Sequence, residues 1–425
     1  MKRCSIKAIM LSLIVAVSLV LSGCSESVEV TGRGMEIPEP PPEVMEAFDA
    51  EMANASNAFG FSLFQTLVED GQNTMISPTS IYTALAMTLN GARGDTFDAM
   101  AEVLGVPAVD LKRFNANNLA RLYLLQEADP EVTLNIANSL WVREGEELDP
   151  FFVERNQSYY DAMVQALDFD DSEAAATINA WVKDRTGGLI EDIVEPPIDT
   201  QTILFLVNAI YFHGDWTVPF NPDNTQSDLF HGPAGEIENV PFMFRSSEFP
   251  YFEKEGVFQA IRLPYGKDER LSMVVFLPAA GTSVSDLAAQ LNDASWNEWR
   301  WELRSREGQL WLPRFTMEYE QSLNEALSRL GMDIAFDEGR ADFFGMIPRD
   351  EGLRLFISEV KHKAFIGVDE QGSEAAAATS VEIAVTSAPP TEPFQMKVDR
   401  PFIFLIHDRE TNEVLFTGAV ADPTQ

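Results

Sequence analysis

The order of helix and strand signals predicts an α+β fold with large antiparallel sheets. Helical patterns come first: residues 58–71 carry apolar side chains at helical spacing and end in glycine, and residues 77–92 open with Ser-Pro. Strand patterns dominate later, where residues 202–212 and 402–408 are rich in β-branched and aromatic side chains. Helices early, strands late and a mixed order between them favour antiparallel sheets.

The remaining elements fit the same scheme. Residues 94–104 are predicted as a helix, and so are residues 173–188, which end in a pair of glycines that stops a helix. Residues 271–279 form an apolar strand pattern, and residues 324–332 form a helix pattern between strands. The last predicted strand, residues 414–420, lies close to the C-terminus.

The start of the chain resembles a bacterial export signal. A basic stretch is followed by an apolar run from Ala8 to Leu21 and then by small residues, which is typical of a secretory signal peptide in residues 1–23. The apolar run is shorter than the about 20 residues that a membrane span needs. Its end, Leu-Ser-Gly-Cys, resembles the lipobox, which implies lipidation of Cys24. An ordinary signal peptide that happens to contain a cysteine is the alternative.

A tether and one domain are predicted after the signal. Residues 24–45 are acidic and rich in proline, which indicates an exposed spacer. Residues 46–425 have a globular composition without an internal repeat or a second linker, so they are predicted as a single domain. We therefore expect a secreted lipoprotein on the cell envelope or extracellular surface that touches the membrane only through its N-terminal lipid.

Charge and cysteine content exclude several classes of partner and site. The net charge is −37, and removal of residues 1–23 makes it more negative by three, so nucleic acid and anionic membranes are poor partners. The only cysteines are Cys4 and Cys24, so residues 46–425 can form no disulfide and no metal site with thiolate ligands. No cofactor and no metal are expected.

No catalytic motif supports an enzyme. The sequence lacks a G-x-S-x-G elbow, an H-E-x-x-H motif, a Walker loop and a G-x-G-x-x-G motif. Its four histidines are isolated, although the members of a catalytic triad need not be near in sequence. A surface adhesin or a hydrolase stays open as an alternative of another class, and a hydrolase would turn over substrate.

Eight motifs, in order along the body of the chain, resemble the serpin family. They are Ile76–Ile81 with Ala84–Met87, Leu134–Trp141, Ile178–Val182 with Thr186–Ile190, Leu206–Phe212 with Gly214–Trp216 and Pro219–Phe220, Leu263–Tyr265, Leu312–Phe315, Asp399–Phe402 and Leu415–Gly418. His213 stands where the family usually has lysine. The resemblance implies the serpin fold, with three β-sheets, eight to nine helices and an exposed C-terminal reactive loop at about residues 370–396.

The residues of this loop alternate like a strand. If residues 373–385 become a strand, successive side chains point to opposite faces. One face carries no charge: Ser373, Ala375, Ala377, Thr379, Val381, Ile383 and Val385. The other carries both glutamates: Glu374, Ala376, Ala378, Ser380, Glu382 and Ala384. This is the pattern of a strand with one buried and one wet face, whereas an alanine-rich linker accounts only for the alanines.

The resemblance also implies a mechanism. In inhibitory serpins a serine protease attacks the loop, and the cleaved loop inserts as a strand in the central sheet and traps the acyl-enzyme. Their hinge has Glu-x-Gly-(Thr/Ser) followed by small residues. That pattern is met here by Glu370, Gly372, Ser373, Glu374, Ala375, Ala376, Ala377 and Ala378. The alternative within the family is a non-inhibitory serpin that acts as a binding or chaperone-like surface lipoprotein.

The family's usual count from Glu370 to the reactive bond ends at Thr386. Cleavage is therefore predicted between Thr386 and Ser387, with Val385 and Ala388 as neighbouring candidates. All these side chains are small and uncharged, so a trypsin-like pocket would leave its buried aspartate unpaired. An elastase-like or subtilisin-like protease is the expected covalent partner, and the inhibitor itself is expected to be a monomer.

Further residues match positions that control loop insertion in the family. They are Ser77, Ser80, Asn208, Trp216, Arg314 and His362. The two serines, Asn208 and His362 imply a buried polar cluster under the sheet, which must be satisfied by hydrogen bonds. Trp216 matches the aromatic side chain beneath the point where insertion begins, and Arg314 matches a basic partner of Glu370.

Overall fold

The computed structural model describes residues 41–46, 48–106, 110–200, 202–347, 355–373 and 393–425. The helices in these ranges are α1 (Pro42–Met45), α2 (Ala50–Leu67), α3 (Pro78–Leu89), α4 (Gly94–Val103), α5 (Leu111–Gln126), α6 (Pro150–Tyr160), α7 (Ala174–Arg185), α8 (Val284–Ala288), α9 (Asp293–Glu302) and α10 (Asn324–Leu327). The strands are β1 (Thr74–Ile76), β2 (Val132–Arg143), β3 (Met163–Leu167), β4 (Leu204–Asp215), β5 (Gln226–Gly232), β6 (Gly235–Lys254), β7 (Phe258–Pro264), β8 (Leu271–Pro278), β9 (Arg304–Pro313), β10 (Phe315–Ser322), β11 (Lys361–Val368), β12 (Gly372–Ser373), β13 (Phe394–Lys397), β14 (Phe402–Asp408) and β15 (Val414–Val420).

The smaller sheet has six strands in the order β10-β11-β12-β4-β2-β3. Its neighbours pair antiparallel except β2 and β3, which are parallel. Strand β12 has only two residues, and it pairs with the C-terminal ends of both β11 and β4. Along the rest of these two longer strands, no strand in the described part of the chain lies between them. We call this space the gap.

The larger sheet has nine strands, eight of them in the order β1-β15-β14-β8-β7-β6-β9-β13, with β5 paired to β6. Strand β6 is 20 residues long and joins two halves. Its first part pairs with β5 and β9, and its last residues pair with β7. If the two halves of the larger sheet are counted as separate sheets, the molecule has three β-sheets. This agrees with the three sheets and the α+β class that the sequence predicted.

Helices cover the two faces of the smaller sheet. On the inner face, α3 begins at the N-cap Ser77, whose side chain accepts a hydrogen bond from the Ser80 N–H, and proline follows the cap as the first helical residue. This helix is buried over most of its length within the main core. On the outer face, α7 packs Ile178 and Val182 against Trp141 and other apolar side chains in a separate cluster. The gap is therefore enclosed from both sides.

Several predicted features lie outside the described residues. The signal peptide and Cys24 precede residue 41, and so does most of the tether. Several predicted residues of the loop also lie outside the described residues: Glu374, Ala375, Ala376, Ala377, Ala378, Val385, Thr386, Ser387 and Ala388. Among the residues that are described, no helix has the length and apolar character needed to cross a membrane.

Candidate functional site

A hinge segment, residues 369–373, lies at one end of the gap. Ser373 pairs with Val368 of β11 and with Gly214 of β4, and Gly372 pairs with Asp215. A Cβ on Gly372 would lie 2.1 Å from the Gly214 carbonyl oxygen and 2.7 Å from the Asp215 Cα. Since both atoms belong to the backbone and cannot move aside, the close approach of β12 and β4 requires glycine at position 372.

Trp216 supports the hinge segment through its backbone and its ring. Its backbone N–H donates to the Gln371 carbonyl oxygen at 2.6 Å, and its indole Nε1–H donates to the Asp369 carbonyl oxygen at 2.9 Å. The ring stacks on Tyr265, with centroids 4.4 Å apart and an interplanar angle of 14°. Trp216, which the sequence placed beneath the start of insertion, thus binds one hinge carbonyl group with its indole N–H and another with its backbone N–H.

Tyr265 was not predicted as a functional residue. Its hydroxyl oxygen lies 2.7 Å from the Oγ of Ser373, whose side chain points into the interior and is 1% exposed. Burial raises the pKa of Tyr265, so the phenol stays protonated and can share a hydrogen bond with the serine. The available signal was the motif Leu263–Tyr265, but the sequence alone did not connect this tyrosine with Ser373.

Glu370 anchors the other side of the hinge segment. Its carboxylate accepts from Arg314 Nη2 at 2.5 and 2.6 Å and from the Thr225 hydroxyl at 2.6 Å. Burial would raise the pKa of Glu370, but the hydrogen bonds from Thr225 and Arg314 outweigh it and hold the pKa below its usual value. The glutamate is therefore ionised at neutral pH, and Thr225 is a contact that sequence reasoning missed.

A polar cluster lies deeper in the gap. On the β11 side, the Ser77 N–H donates to His362 Nε2 at 3.2 Å. On the β4 side, the Ser80 hydroxyl donates to Asn208 Oδ1, and Asn208 Nδ2 donates to Asn138 Oδ1 at 2.6 Å. The bond from the Ser80 N–H to the Ser77 Oγ at 3.2 Å joins the two sides. The structure thus brings the four predicted residues together and adds Asn138.

His362 is neutral in this cluster. Burial lowers its pKa to about 4 because a charged imidazolium would lose its hydration there. The ring therefore accepts a hydrogen bond at Nε2 from the Ser77 N–H and carries its single proton on Nδ1 at neutral pH. Protonation of Nε2 would replace this acceptor with a donor that faces another donor.

The gap contains a cavity of about 610 Å³. It is lined by residues 204–208 of β4 and 361–363 of β11, with Ser80 and Ile81 of α3 behind them and residues 193–195 and 197–199 on the outer side. The wall combines apolar side chains with the polar cluster. A cavity of this size and position leaves room for the side chains of an additional strand.

Charged contacts close the outer side of the gap. Lys363 forms ion pairs with Asp192 at 2.6 Å and Glu318 at 3.0 Å, and Lys361 forms one with Glu195 at 3.2 Å. Asp192 and Glu195 belong to the segment after α7, so these pairs fasten that segment to β11. Sequence reasoning did not find this arrangement, because nothing in the spacing shows that the two segments meet.

The site residues therefore fall into two groups that the fold brings to one gap. Glu370, Gly372, Ser373, Trp216 and Arg314 lie at its hinge end, and the polar cluster lies further along it. Within the described ranges, no group of three or more His, Asp or Glu side chains is arranged to hold a metal ion. The hinge end of the gap can therefore hold the first residues of a strand between β4 and β11, while the positions further along the gap are open.

A family model described as "Serpin (serine protease inhibitor)" matches residues 54–423. The chain belongs to the serpin family. Members of this family interact with serine proteases, and they are generally protease inhibitors rather than enzymes. The family, its fold and the prediction that the chain is not an enzyme are therefore confirmed.

Relatives and solved structures agree with this assignment. The chain is 37% identical over 382 residues to an uncharacterized serpin-like protein of Thermococcus kodakarensis, covering 89% of this serpin and 87% of that protein. It is 35% identical over 387 residues to the leukocyte elastase inhibitor of Bos taurus, covering 88% and 100%. The crystal structure of the thermophilic serpin tengpin in the native state matches with a TM-score of 0.80 at 32% identity, covering 88% of this chain and 95% of that one.

Proposed function

We propose that this serpin is a suicide-substrate inhibitor of serine proteases. A protease cleaves the loop, and the cleaved loop inserts as a strand between β4 and β11 before the acyl-enzyme is hydrolysed. The observation that carries the proposal is β12 at one end of the gap, where Gly372 and Ser373 pair with β4 and Ser373 also pairs with β11. Insertion would therefore extend the existing pairing of β12 with β4 and β11 and would not have to start a new strand pairing.

The register of this ladder supports the proposal. Continued by one residue per step beyond Ser373, it would place Ala375 beside Phe212 of β4 and Ile366 of β11. Both neighbours are buried in the main core, so this face of the new strand would be dry. Every side chain from 373 to 385 on that face is uncharged, and both glutamates would fall on the outer face. The loop sequence and the gap are therefore complementary.

The same register gives the polar cluster a partner. Thr379 would arrive between Asn208 and His362, and it is the polar residue beyond the hinge on the otherwise apolar inner face. A threonine hydroxyl can both donate and accept hydrogen bonds. Thr379 can therefore form hydrogen bonds with polar groups of the cluster on either side of the inserted strand. Each new backbone hydrogen bond between the inserted strand and its neighbours contributes about 0.5–1.5 kcal/mol net. A full strand therefore supplies a strong driving force for insertion, and the native state before cleavage is kinetically trapped without it.

The target class is inferred from the predicted reactive bond. We propose cleavage between Thr386 and Ser387, with Val385 and Ala388 as neighbouring positions, by an elastase-like or subtilisin-like protease. The small uncharged side chains fit the pockets of such enzymes, and a relative at 35% identity is named leukocyte elastase inhibitor. The net charge of −37 favours encounter with basic proteases.

A mixing experiment tests the function. The purified protein is combined with an elastase-like, a subtilisin-like and a trypsin-like protease and examined on denaturing gels. We expect a detergent-stable complex with one of the first two and a released peptide that begins at Ser387 in its mass spectrum. A protease whose catalytic serine is replaced by alanine is the control and forms no covalent complex. Cleavage without a complex by all active proteases would favour the non-inhibitory binding or chaperone-like role.

We further propose that the protein is a monomeric lipoprotein, anchored at the cell envelope or extracellular surface through Cys24. The support is the export signal in residues 1–23 with its lipobox-like end and the acidic spacer that follows. The variant Cys24→Ser is expected to leave the membrane fraction, whereas the unaltered protein is released only by detergent. Equal distribution of both proteins between the fractions would contradict the anchor.

A further inference from the structure

A second cleft lies on the larger sheet and shares no lining residue with the cavity of the gap. Its volume is about 490 Å³, within the range of about 300–1,000 Å³ that is usual for small-molecule sites. Trp311 of β9 lines this cleft together with six side chains that carry hydrogen-bonding groups: Asp228, Gln259, Gln395, Lys397, Asp399 and Arg400. These residues come from β5, β7, β9, β13 and the link to β14, so only tertiary structure brings them together.

Hydrogen bonds between strands fix the walls of this cleft. The His231 N–H donates to the Asp399 carbonyl oxygen at 2.7 Å, which holds the end of β5 against the segment after β13. Gln259 Nε2 donates to the Gln395 carbonyl oxygen at 3.1 Å and so connects β7 to β13. Because β13 is an edge strand, this bond also occupies a backbone acceptor that an added peptide strand would use. The cleft is therefore pre-formed, and its edge disfavours pairing with another chain.

The charged side chains of the cleft neutralise one another. Lys397 Nζ lies 2.7 Å from Asp228 Oδ2, and Arg400 Nη1 lies 3.1 Å from Asp399 Oδ1. All four side chains are partly exposed, so their remaining donors and acceptors can reach a ligand. An anion would meet two carboxylates and a cation would meet two basic groups, so the cleft disfavours ions of either sign. The net charge of −37 further repels a sulfated polysaccharide.

Trp311 gives the cleft an aromatic surface. The side chain is partly buried and packs on Phe244, with ring centroids 5.0 Å apart and an angle of 40° between the rings. Next to it in the sheet, Gln395 Nε2 donates to Gln309 Oε1 at 3.3 Å. A tryptophan held in this way presents a rigid apolar face beside polar groups. The cleft therefore combines one aromatic ring with amide, carboxylate, guanidinium and ammonium groups around it.

We propose that this cleft binds a neutral saccharide. The faces of a hexose ring carry C–H groups that pack against a tryptophan ring, and its edge carries hydroxyl groups that both donate and accept hydrogen bonds. The carboxylates of the cleft accept such bonds, the basic side chains donate them, and the glutamine amides do both. Since β13 follows the reactive loop directly, a bound glycan would hold the inhibitor at a glycan-covered surface through a site separate from the gap.

Binding is measured by isothermal titration calorimetry with the purified full chain and neutral hexasaccharides of glucose, mannose and N-acetylglucosamine. We expect saturable binding of at least one of them and no competition by dextran sulfate. Trp311→Ala is expected to weaken this binding on the order of tenfold, because the stacking surface is lost. Trp301→Ala removes a tryptophan of α9 that is 62% exposed, and this matched control is expected to bind like the unaltered protein.

A second variant keeps the test valid if the melting temperature shows that Trp311→Ala folds poorly. Gln395→Ala removes an exposed amide and leaves the ring in place, and it is also expected to weaken binding. Parallel titrations with a polysaccharide and with a glycoprotein that carry the bound sugar distinguish these two sources, and binding of either through Trp311 supports the proposal. The proposal is overturned if none of the hexasaccharides binds, or if the cleft variants bind as well as Trp301→Ala. Because no protease is used, this result is independent of whether a covalent complex forms.

Discussion

Replacement of Ala375 by arginine is expected to turn the inhibitor into a substrate. Extension of the β12 register places residue 375 on the inner face between Phe212 and Ile366, which are both buried. A guanidinium group there has no partner, and burial of an unpaired charge costs several kcal/mol. Insertion then becomes slower than hydrolysis of the acyl-enzyme, so the protease cleaves the loop and is released. We expect the number of inhibitor molecules consumed per protease molecule to rise by at least about tenfold, since each 1.4 kcal/mol changes a rate tenfold.

The matched variant is Glu374→Arg, one residue earlier. In the same register its side chain falls on the outer face beside His213 and Gly367, where it can reach water. Trapping is therefore expected to persist, and both variants should be acylated at the same rate because position 386 is unchanged. The measurement is the ratio of trapped complex to cleaved inhibitor on denaturing gels. If Ala375→Arg traps as well as Glu374→Arg, the loop does not insert in the register that β12 defines.

Local sequence patterns were sufficient for many elements of the fold. The strands predicted at 402–408 and 414–420 are β14 and β15, since each is a compact run of β-formers between turns. The helix predicted at 324–332 is α-helical from Asn324 to Leu327 as α10 and continues as a π-helix over Ser328–Met332, with a kink at Gly331, whose φ is 120°. Glycine adopts this left-handed conformation without strain, which a count of apolar residues does not reveal.

Other elements were missed because tertiary contacts override their local signals. Helix α5 buries polar side chains such as Asn115 and Arg121, so its apolar periodicity is weak. Arg121 forms a buried ion pair with Glu413 at 2.5 Å, although the two residues are 292 positions apart in the chain. Strand β6 contains Pro241 and Pro250, which locally disfavour a long strand. The partner of Arg121 is distant in sequence, and the middle of β6 pairs with β9, which is not its neighbour along the chain.

The residues of the candidate site also fall into those that the sequence predicted and those that it did not. The resemblance to the family predicted Trp216 and Arg314, which belong to its motifs, and His362, which matches a family position outside them. The contacts of Thr225 with Glu370 and of Tyr265 with Ser373 depend on where separate strands meet. Such contacts follow from pairing register, which the alternation of a single strand does not determine.

Mild acid is expected to open the gap through His362. The pKa of this buried histidine is lowered to about 4, whereas an exposed histidine titrates near 6.5. The native state therefore binds fewer protons than the unfolded state, and this contribution to stability is fully present above about pH 6.5 and is lost as the pH falls toward 4. The loss at pH 5 is about 2 kcal/mol, and it acts at the bond from the Ser77 N–H that joins α3 to β11.

His407 provides the control for this effect. Burial, with a contribution from nearby Arg262, lowers the pKa of His407 to about 3, but this residue lies in β14 of the larger sheet, away from the gap. Conversion of the intact protein to loop-inserted or oligomeric forms is measured at pH 5 and pH 7.5 by melting temperature and size-exclusion chromatography. We expect acid to accelerate it in the unaltered protein and in His407→Gln but not in His362→Gln. An equal response to acid in His362→Gln would place the pH-sensitive group elsewhere. If the expected pattern holds, protonation of one histidine in the polar cluster is enough to couple the pH of the surroundings to the opening of the gap.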